Sequence, residues 1–143
     1  MKRFLAPFLF ATVTVPAAAD VIVVHVLDMD FSVNPTDGPV LDPVINVGDT
    51  VRWVWDSPFH STTSVNGQAE TWDSGVLSDE GSLFEHTFSK TGTFWYYCLL
   101  HASPQEDGTA IGMAGTITVV PEPGAMAILG IGLAALAAKK RSK

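Results

Sequence analysis

The run Gly92-Thr93-Phe94-Trp95-Tyr96-Tyr97-Cys98-Leu99-Leu100-His101 decides the fold of this chain. Side chains alternate across a strand, so Phe94, Tyr96 and Cys98 share one face and Trp95 and Tyr97 the other. Aromatic and β-branched residues suit such a pleated, half-buried surface. Lys90-Thr91-Gly92 supplies a turn before the run. After it, Gly115 to Val120 repeats the alternation with Ile117 and Val119 in register. Upstream, a turn at Gly48-Asp49 leads into Val51-Arg52-Trp53-Val54-Trp55. There Val51, Trp53 and Trp55 share a face and Arg52 takes the other. Leu83 to Phe88 sets Phe84, His86 and Phe88 on one side. Val21 to Leu27 and Val44 to Val47 are further β-branched runs. Turn signals recur at Asn34-Pro35, Asp37-Gly38-Pro39, Ser57-Pro58 and Asp79-Glu80-Gly81. No helical period interrupts them. About seven short strands at this spacing predict an all-β, antiparallel Greek-key β-sandwich over residues 20–120.

The two ends read as addresses rather than fold. Lys2 and Arg3 precede a mostly apolar run, Phe4 to Val15, and Ala17-Ala18-Ala19 offers small residues for cleavage before Asp20. That is the pattern of a signal peptide over residues 1–19. At the other end, Ala125 to Ala138 contains only Ala, Met, Ile, Leu and Gly, and a basic run, Lys139 to Lys143, follows. This stretch is shorter than the roughly 20 residues of an ordinary spanning helix. Hydropathy alone leaves a short span, an interfacial helix or a core helix open. The basic flank fits a cytoplasmic stop. Pro121-Glu122-Pro123-Gly124 breaks the chain between domain and tail.

The tail, residues 121–143, resembles the PEP-CTERM sorting signal of Gram-negative bacteria. Pro121-Glu122-Pro123, a short hydrophobic helix over 125–138 and a basic terminus stand in the order of that signal. The resemblance implies export, with an exosortase acting on the tail and transient membrane contact through 125–138. It implies a place in the periplasm, at the cell surface or in the extracellular matrix.

Net charge is −7 over the 143 residues, but the bases crowd the ends. Between Asp20 and Val120 stand ten Asp and four Glu against Arg52 and Lys90 alone, a net charge of −12. No basic patch exists to displace the counterions of a nucleic acid, so nucleic-acid binding is excluded. Acidity of this size serves solubility or long-range attraction to a basic partner.

A single cysteine excludes a disulfide within the chain. Cys98 ends the aromatic strand, three residues before His101. Met113 stands in Gly112-Met113-Ala114-Gly115, and His60 follows the Trp53 to Trp55 strand in Ser57-Pro58-Phe59-His60-Ser61. Thiolate, imidazole and thioether form a soft donor set that favours copper over magnesium, calcium or manganese. A c-type haem needs a second Cys, and structural zinc wants closer Cys or His pairs. An inert buried thiol is the competing reading of Cys98. His25 and His86 lie inside strands and read as packing or surface residues.

Residues 20–120 resemble the cupredoxins of the plastocyanin/azurin branch. The matching pieces are Val47 to Trp53, the His60 loop, Gly92 to His101 and Gly112 to Val119. The resemblance implies a β-sandwich, a type 1 copper site and one-electron transfer. It assigns His60, Cys98 and His101 as equatorial ligands and Met113 as the axial ligand. Two departures stand out. Met113 follows His101 by 12 positions, which reads as an insertion. Gln105 is the rival axial donor. Ser61 replaces the Asn that ties the ligand loops in many relatives, and a shorter side chain braces less.

The leading function is therefore an exported blue copper electron carrier, not an enzyme, with a redox protein such as a c-type cytochrome as partner. The alternative is an exported surface or biofilm-matrix protein that binds copper without passing electrons. A copper enzyme needs further copper sites, and only His25 and His86 remain to build them.

Overall fold

The computed structural model describes residues 18–35 and 38–122. The expected hydrophobic helix over 125–138 lies outside the described residues, as does the signal segment except for its last two residues. Ala19–Glu122 is a compact unit. Among the described residues no helix is long and apolar enough to cross a membrane.

Eight strands build the unit: β1 (Val21–Val26), β2 (Phe31–Ser32), β3 (Val44–Asn46), β4 (Thr50–Trp55), β5 (Thr63–Ser64), β6 (Leu83–Thr87), β7 (Gly92–Pro104) and β8 (Ala110–Val120). They form two four-stranded sheets, ordered β2-β1-β4-β6 and β3-β8-β7-β5. The all-β sandwich read from the alternation is present. The purely antiparallel pairing is corrected. β1 runs parallel to β4 (Val21 opposite Thr50), and β3 parallel to β8 (Val44 opposite Thr118). The cause is connectivity. From β2 the chain crosses to the other sheet as β3, then returns as β4 on the far side of β1. Such a return between packed layers leaves strands parallel that a direct hairpin would oppose.

Alternation decides which residues fill the space between the sheets. Val51, Trp53 and Trp55 are fully buried, while Arg52 reaches outward and pairs with Glu85. Phe94, Tyr96 and Cys98 join them from β7, and Met113, Ile117 and Val119 from β8. Burying a large apolar side chain contributes roughly 1.5–3 kcal/mol, so this aromatic-rich layer is the main stabilising element. Trp53 is its hub, stacked on Trp72 at 5.7 Å and edge-on to Tyr96 at 5.6 Å between ring centroids. Burial pushes the Tyr96 phenol far above its ordinary pKa and keeps it a neutral core residue. Trp95 and Tyr97 point the other way, into a second cluster with Val65 and Ala110. Gln68 seals that outer face by accepting from the Trp95 amide at 2.6 Å and donating to its carbonyl at 2.8 Å.

The turn at Gly48-Asp49 is stapled by a buried carboxylate. Asp49 accepts from the amides of Asp20 at 2.9 Å and Asn46 at 2.7 Å. It thereby ties the first residue of the sandwich to the turn that starts β4.

Candidate metal centre

Three donors meet where β7 leaves the core. Cys98 Sγ stands 3.6 Å from His60 Nδ1 and 3.4 Å from His101 Nδ1, and the two nitrogens are 3.1 Å apart. A triangle of these edges has its centre about 2.0 Å from each corner, within the range of metal–nitrogen bonds and just short of metal–sulfur bonds. Among the described residues this is the one grouping of His, Cys and acidic side chains with metal-binding spacing. Two imidazoles and a thiol in a plane fit copper by softness and by geometry. His60 and Cys98 are buried, at 2% and 0% exposure, whereas His101 is partly exposed.

Each donor is delivered by a local device. Phe59, just before His60, is the one non-glycine described residue with a left-handed backbone, at φ 63°. A bulky residue holds that conformation only when its surroundings impose it. The imposing contacts are two backbone bonds: Phe59 N–H donates to Leu77 at 2.8 Å, and Leu77 N–H donates to His60 at 2.9 Å. Trp55 Nε1 adds a second donor to the His60 carbonyl at 2.9 Å. The bend turns His60 inward and throws the Phe59 ring out, 58% exposed. Burial first, and the neighbouring His101 second, lower the His60 pKa, with Asp28 opposing. A neutral imidazole keeps the lone pair that a metal requires.

Cys98 and His101 come from a break in the β7–β8 ladder. Tyr97 pairs with Ala114 and Ala102 with Gly112, so residues 98–101 arch out opposite Met113 alone. Met113 is fully buried directly across from this arch. The structure thus brings His60, Cys98 and His101 into one triangle and sets Met113 against the loop that carries two of them.

The insertion read after His101 is not a loose loop. β7 and β8 continue past the arch as a hairpin arm, pairing Ala102 with Gly112, Ser103 with Ile111 and Pro104 with Ala110. Gln105 lies at its tip. There it closes the turn with Thr109 and Gly108 and donates its side-chain amide to the Ser103 carbonyl at 2.9 Å. The tip lies three ladder pairs from the arch, roughly 10 Å at the rise of a strand.

Ser61 braces more than its size implies. Its N–H points at Cys98 Sγ at 3.4 Å, and its hydroxyl accepts from the Leu99 amide at 2.9 Å. The remaining histidines stand in other pairs. His25 contacts Asp56 at 2.8 Å. His86 contacts Glu70 at 3.2 Å and stacks on Trp72. Burial alone would raise the Glu70 pKa, but hydrogen bonds from Ser89 and His86 outweigh it and hold the carboxyl below its ordinary value.

Fold and donor triangle together define a cupredoxin-like sandwich. Among solved structures the chain is similar to amicyanin, a cupredoxin. A reduced proline-to-phenylalanine variant aligns at 24% identity over 70% of this chain and 82% of that one, TM-score 0.51. An oxidised proline-to-alanine variant aligns at 24% over 70% and 82%, TM-score 0.50. A reduced tryptophan-to-tyrosine variant aligns at 24% over 73% and 86%, TM-score 0.50. Likeness at this identity establishes the fold. Residues 119–142 match the PEP-CTERM protein-sorting motif, which indicates an exported, surface-directed protein.

Proposed function

We propose that this chain is an exported type 1 copper protein that carries single electrons. His60, Cys98 and His101 are its equatorial ligands and Met113 its axial ligand. The donor triangle carries the reading, because two Nδ1 atoms and one sulfur converge within 3.6 Å of one another, a spacing that suits one cation between them. A copper ion bound there supplies one-electron chemistry between Cu(I) and Cu(II). The chain supplies the rest. Ser61 N–H is aimed at the Cys98 sulfur and helps fix its position, and the buried surroundings of Cys98 exclude water. Trp55 and Leu77 fix the His60 backbone, so the ligand frame resists rearrangement.

The accessible edge is His101, and an apolar rim surrounds the ligands in sequence. Phe59 precedes His60, Leu99 and Leu100 separate Cys98 from His101, and Ile111 closely precedes Met113. Their exposures are 58, 44, 56 and 67%. A partner docking on this rim reaches the site through His101, and the acidity of the domain selects a basic redox protein such as a c-type cytochrome. His25 and His86 are each engaged with a carboxylate, Asp56 and Glu70, and stand apart from the donor triangle.

A second reading rests on the sorting motif over residues 119–142: a surface or matrix protein that binds copper without passing electrons. Slow electron exchange with every small redox protein tried favours it. Cu(II) titration with visible and EPR spectra tests the common ground. An intense blue band with narrow copper hyperfine splitting is expected, lost in Cys98→Ser. Met113→Leu is expected to shift the band and Gln105→Leu to leave it unchanged. Absence of the band in the wild-type chain overturns the assignment.

A further inference from the structure

A line of hydrogen bonds runs from the ligand loop to an exposed carboxylate. Leu99 N–H donates to Ser61 Oγ at 2.9 Å, Ser61 Oγ lies 3.1 Å from Thr63 Oγ1, and Thr63 donates to Asp73 Oδ1 at 2.8 Å. Chemistry fixes the direction of the middle bond. An ionised carboxylate only accepts, and a hydroxyl has one proton. Thr63 gives its proton to Asp73, so it offers Ser61 only lone pairs. Ser61 therefore donates to Thr63 and keeps its own lone pairs for the Leu99 amide. Every proton in the line points away from the ligand loop and toward Asp73.

The far end is itself held. Thr63 and Asp73 form an isolated antiparallel bridge. Thr62 N–H donates to Ser74 Oγ at 2.9 Å, and Ser74 N–H to the Thr62 carbonyl at 3.1 Å. Gly75 N–H donates to the same Asp73 oxygen at 2.9 Å. The carboxylate is exposed in charge but fixed in place. At the near end Ser61 touches both Cys98 Sγ, through its N–H, and the next amide, through its hydroxyl.

We propose that Thr63 and Asp73 are positioning residues for the loop Cys98 to His101, acting through Ser61 by locking its hydroxyl so that the Leu99 amide and the adjoining sulfur keep one orientation. Its effect on a bound copper rests on the function proposed above. Its effect on the loop does not. Neither residue is a ligand, and neither touches one directly.

The test uses the full chain, without metal and loaded with Cu(II), in Ser61→Ala, Thr63→Val, Asp73→Ala and Asp73→Asn. Asparagine keeps an acceptor oxygen at position 73 and removes the charge. Without metal, exchange of the Leu99 amide hydrogen is expected to quicken about tenfold in Ser61→Ala, the loss of one buried bond. It is expected to quicken about threefold in Thr63→Val and Asp73→Ala, and to stay within about twofold of wild type in Asp73→Asn. Loaded with copper, the first three variants are expected to move the reduction potential and hyperfine splitting in one common direction, with Asp73→Asn restoring both. If Thr63→Val and Asp73→Ala leave Leu99 exchange at the wild-type rate while Ser61→Ala raises it, Ser61 acts alone and the inference falls. Asp73→Ala, at an exposed position, decides the matter should Thr63→Val fail to fold. If exchange responds as expected but no blue band forms in the wild type, the positioning role stands and the copper reading fails.

Discussion

Gly112 has the tightest surroundings of any glycine among the described residues. A Cβ there would lie 2.4 Å from the His101 carbonyl oxygen and 2.9 Å from Ala102 Cα, at a φ of +107°. Both neighbours are backbone, so no side chain can turn aside to make room. The close approach lets the strand carrying Met113 press against the end of the arch formed by residues 98–101. Gly108, in the hairpin tip, has a positive φ of +86° but nothing within 4 Å. The two separate conformational strain from collision. Gly108→Ala is expected to cost about 1 kcal/mol, the left-handed backbone alone. Gly112→Ala is expected to cost about 2–4 kcal/mol, because overpacking adds to strain. It should also disturb Cu(II) binding, whereas Gly108→Ala should not. Urea unfolding and a copper titration on both variants check this, and equal costs would refute it. The candidate donors were readable in the sequence because Cys98 stands alone and His101 follows at a loop's distance. The braces were not. Gly112, Trp55, Thr63 and Asp73 announce no chemistry, and Ser61 reads as a weakened Asn until its backbone and side chain are seen reaching two different groups.

At the scale of elements, alternation made the sheets legible and concealed the ladder. Each strand's inward face follows from sequence period, as Trp53 and Tyr96 illustrate, but period says nothing about which strand lies beside which. The parallel pairs β1–β4 and β3–β8 depend on crossovers between layers, and no local residue encodes those. The hairpin arm was hidden for a different reason. Ser103-Pro104-Gln105-Glu106-Asp107-Gly108 is rich in turn formers, yet its first two residues continue β7 in two ladder pairs. Only the tip is a true turn. There Asp107 accepts from the hydroxyl of Thr109 at 2.7 Å and its amide at 3.0 Å, and these bonds hold its carboxyl below the ordinary range. Since the pair Ala102–Gly112 already closes the arch, the tip is dispensable to the donors. Replacing Gln105 to Thr109 by Asn-Gly, a two-residue turn matched to strand twist, is expected to leave the copper spectrum intact. Stability should change by no more than about 1 kcal/mol, since loop entropy varies slowly with length. Loss of the blue band in that variant would place a ligand in the tip and remove Met113 from the axial position.

For the whole molecule, the proposed electron carrier would divide the work of recognition between charge and apolar surface. Of the two bases between Asp20 and Val120, Arg52 is already paired with Glu85, so almost no positive field offsets fourteen carboxylates. The rim of Phe59, Leu99, Leu100 and Ile111 carries no charge itself. Attraction therefore acts at a distance and fades with salt, over a Debye length of about 30 Å at 0.01 M and about 8 Å at 0.15 M. Contact at the rim is short-ranged and largely indifferent to salt. The two contributions therefore differ in their response to salt. With a basic c-type cytochrome, the second-order electron-exchange rate is expected to fall on the order of tenfold between those ionic strengths. With an acidic redox protein of similar size it should rise over the same range, as screening removes repulsion. Stopped-flow mixing of the copper-loaded chain with each partner measures both. A rate with the basic cytochrome that ignores salt would mean that the rim alone selects the partner and that the acidity serves solubility. Leu100→Asp separates the components further: added negative charge should strengthen steering toward a basic partner, while loss of apolar contact weakens the docked complex. A net fall in rate at 0.15 M salt, where steering is screened, would assign productive docking to the rim beside His101.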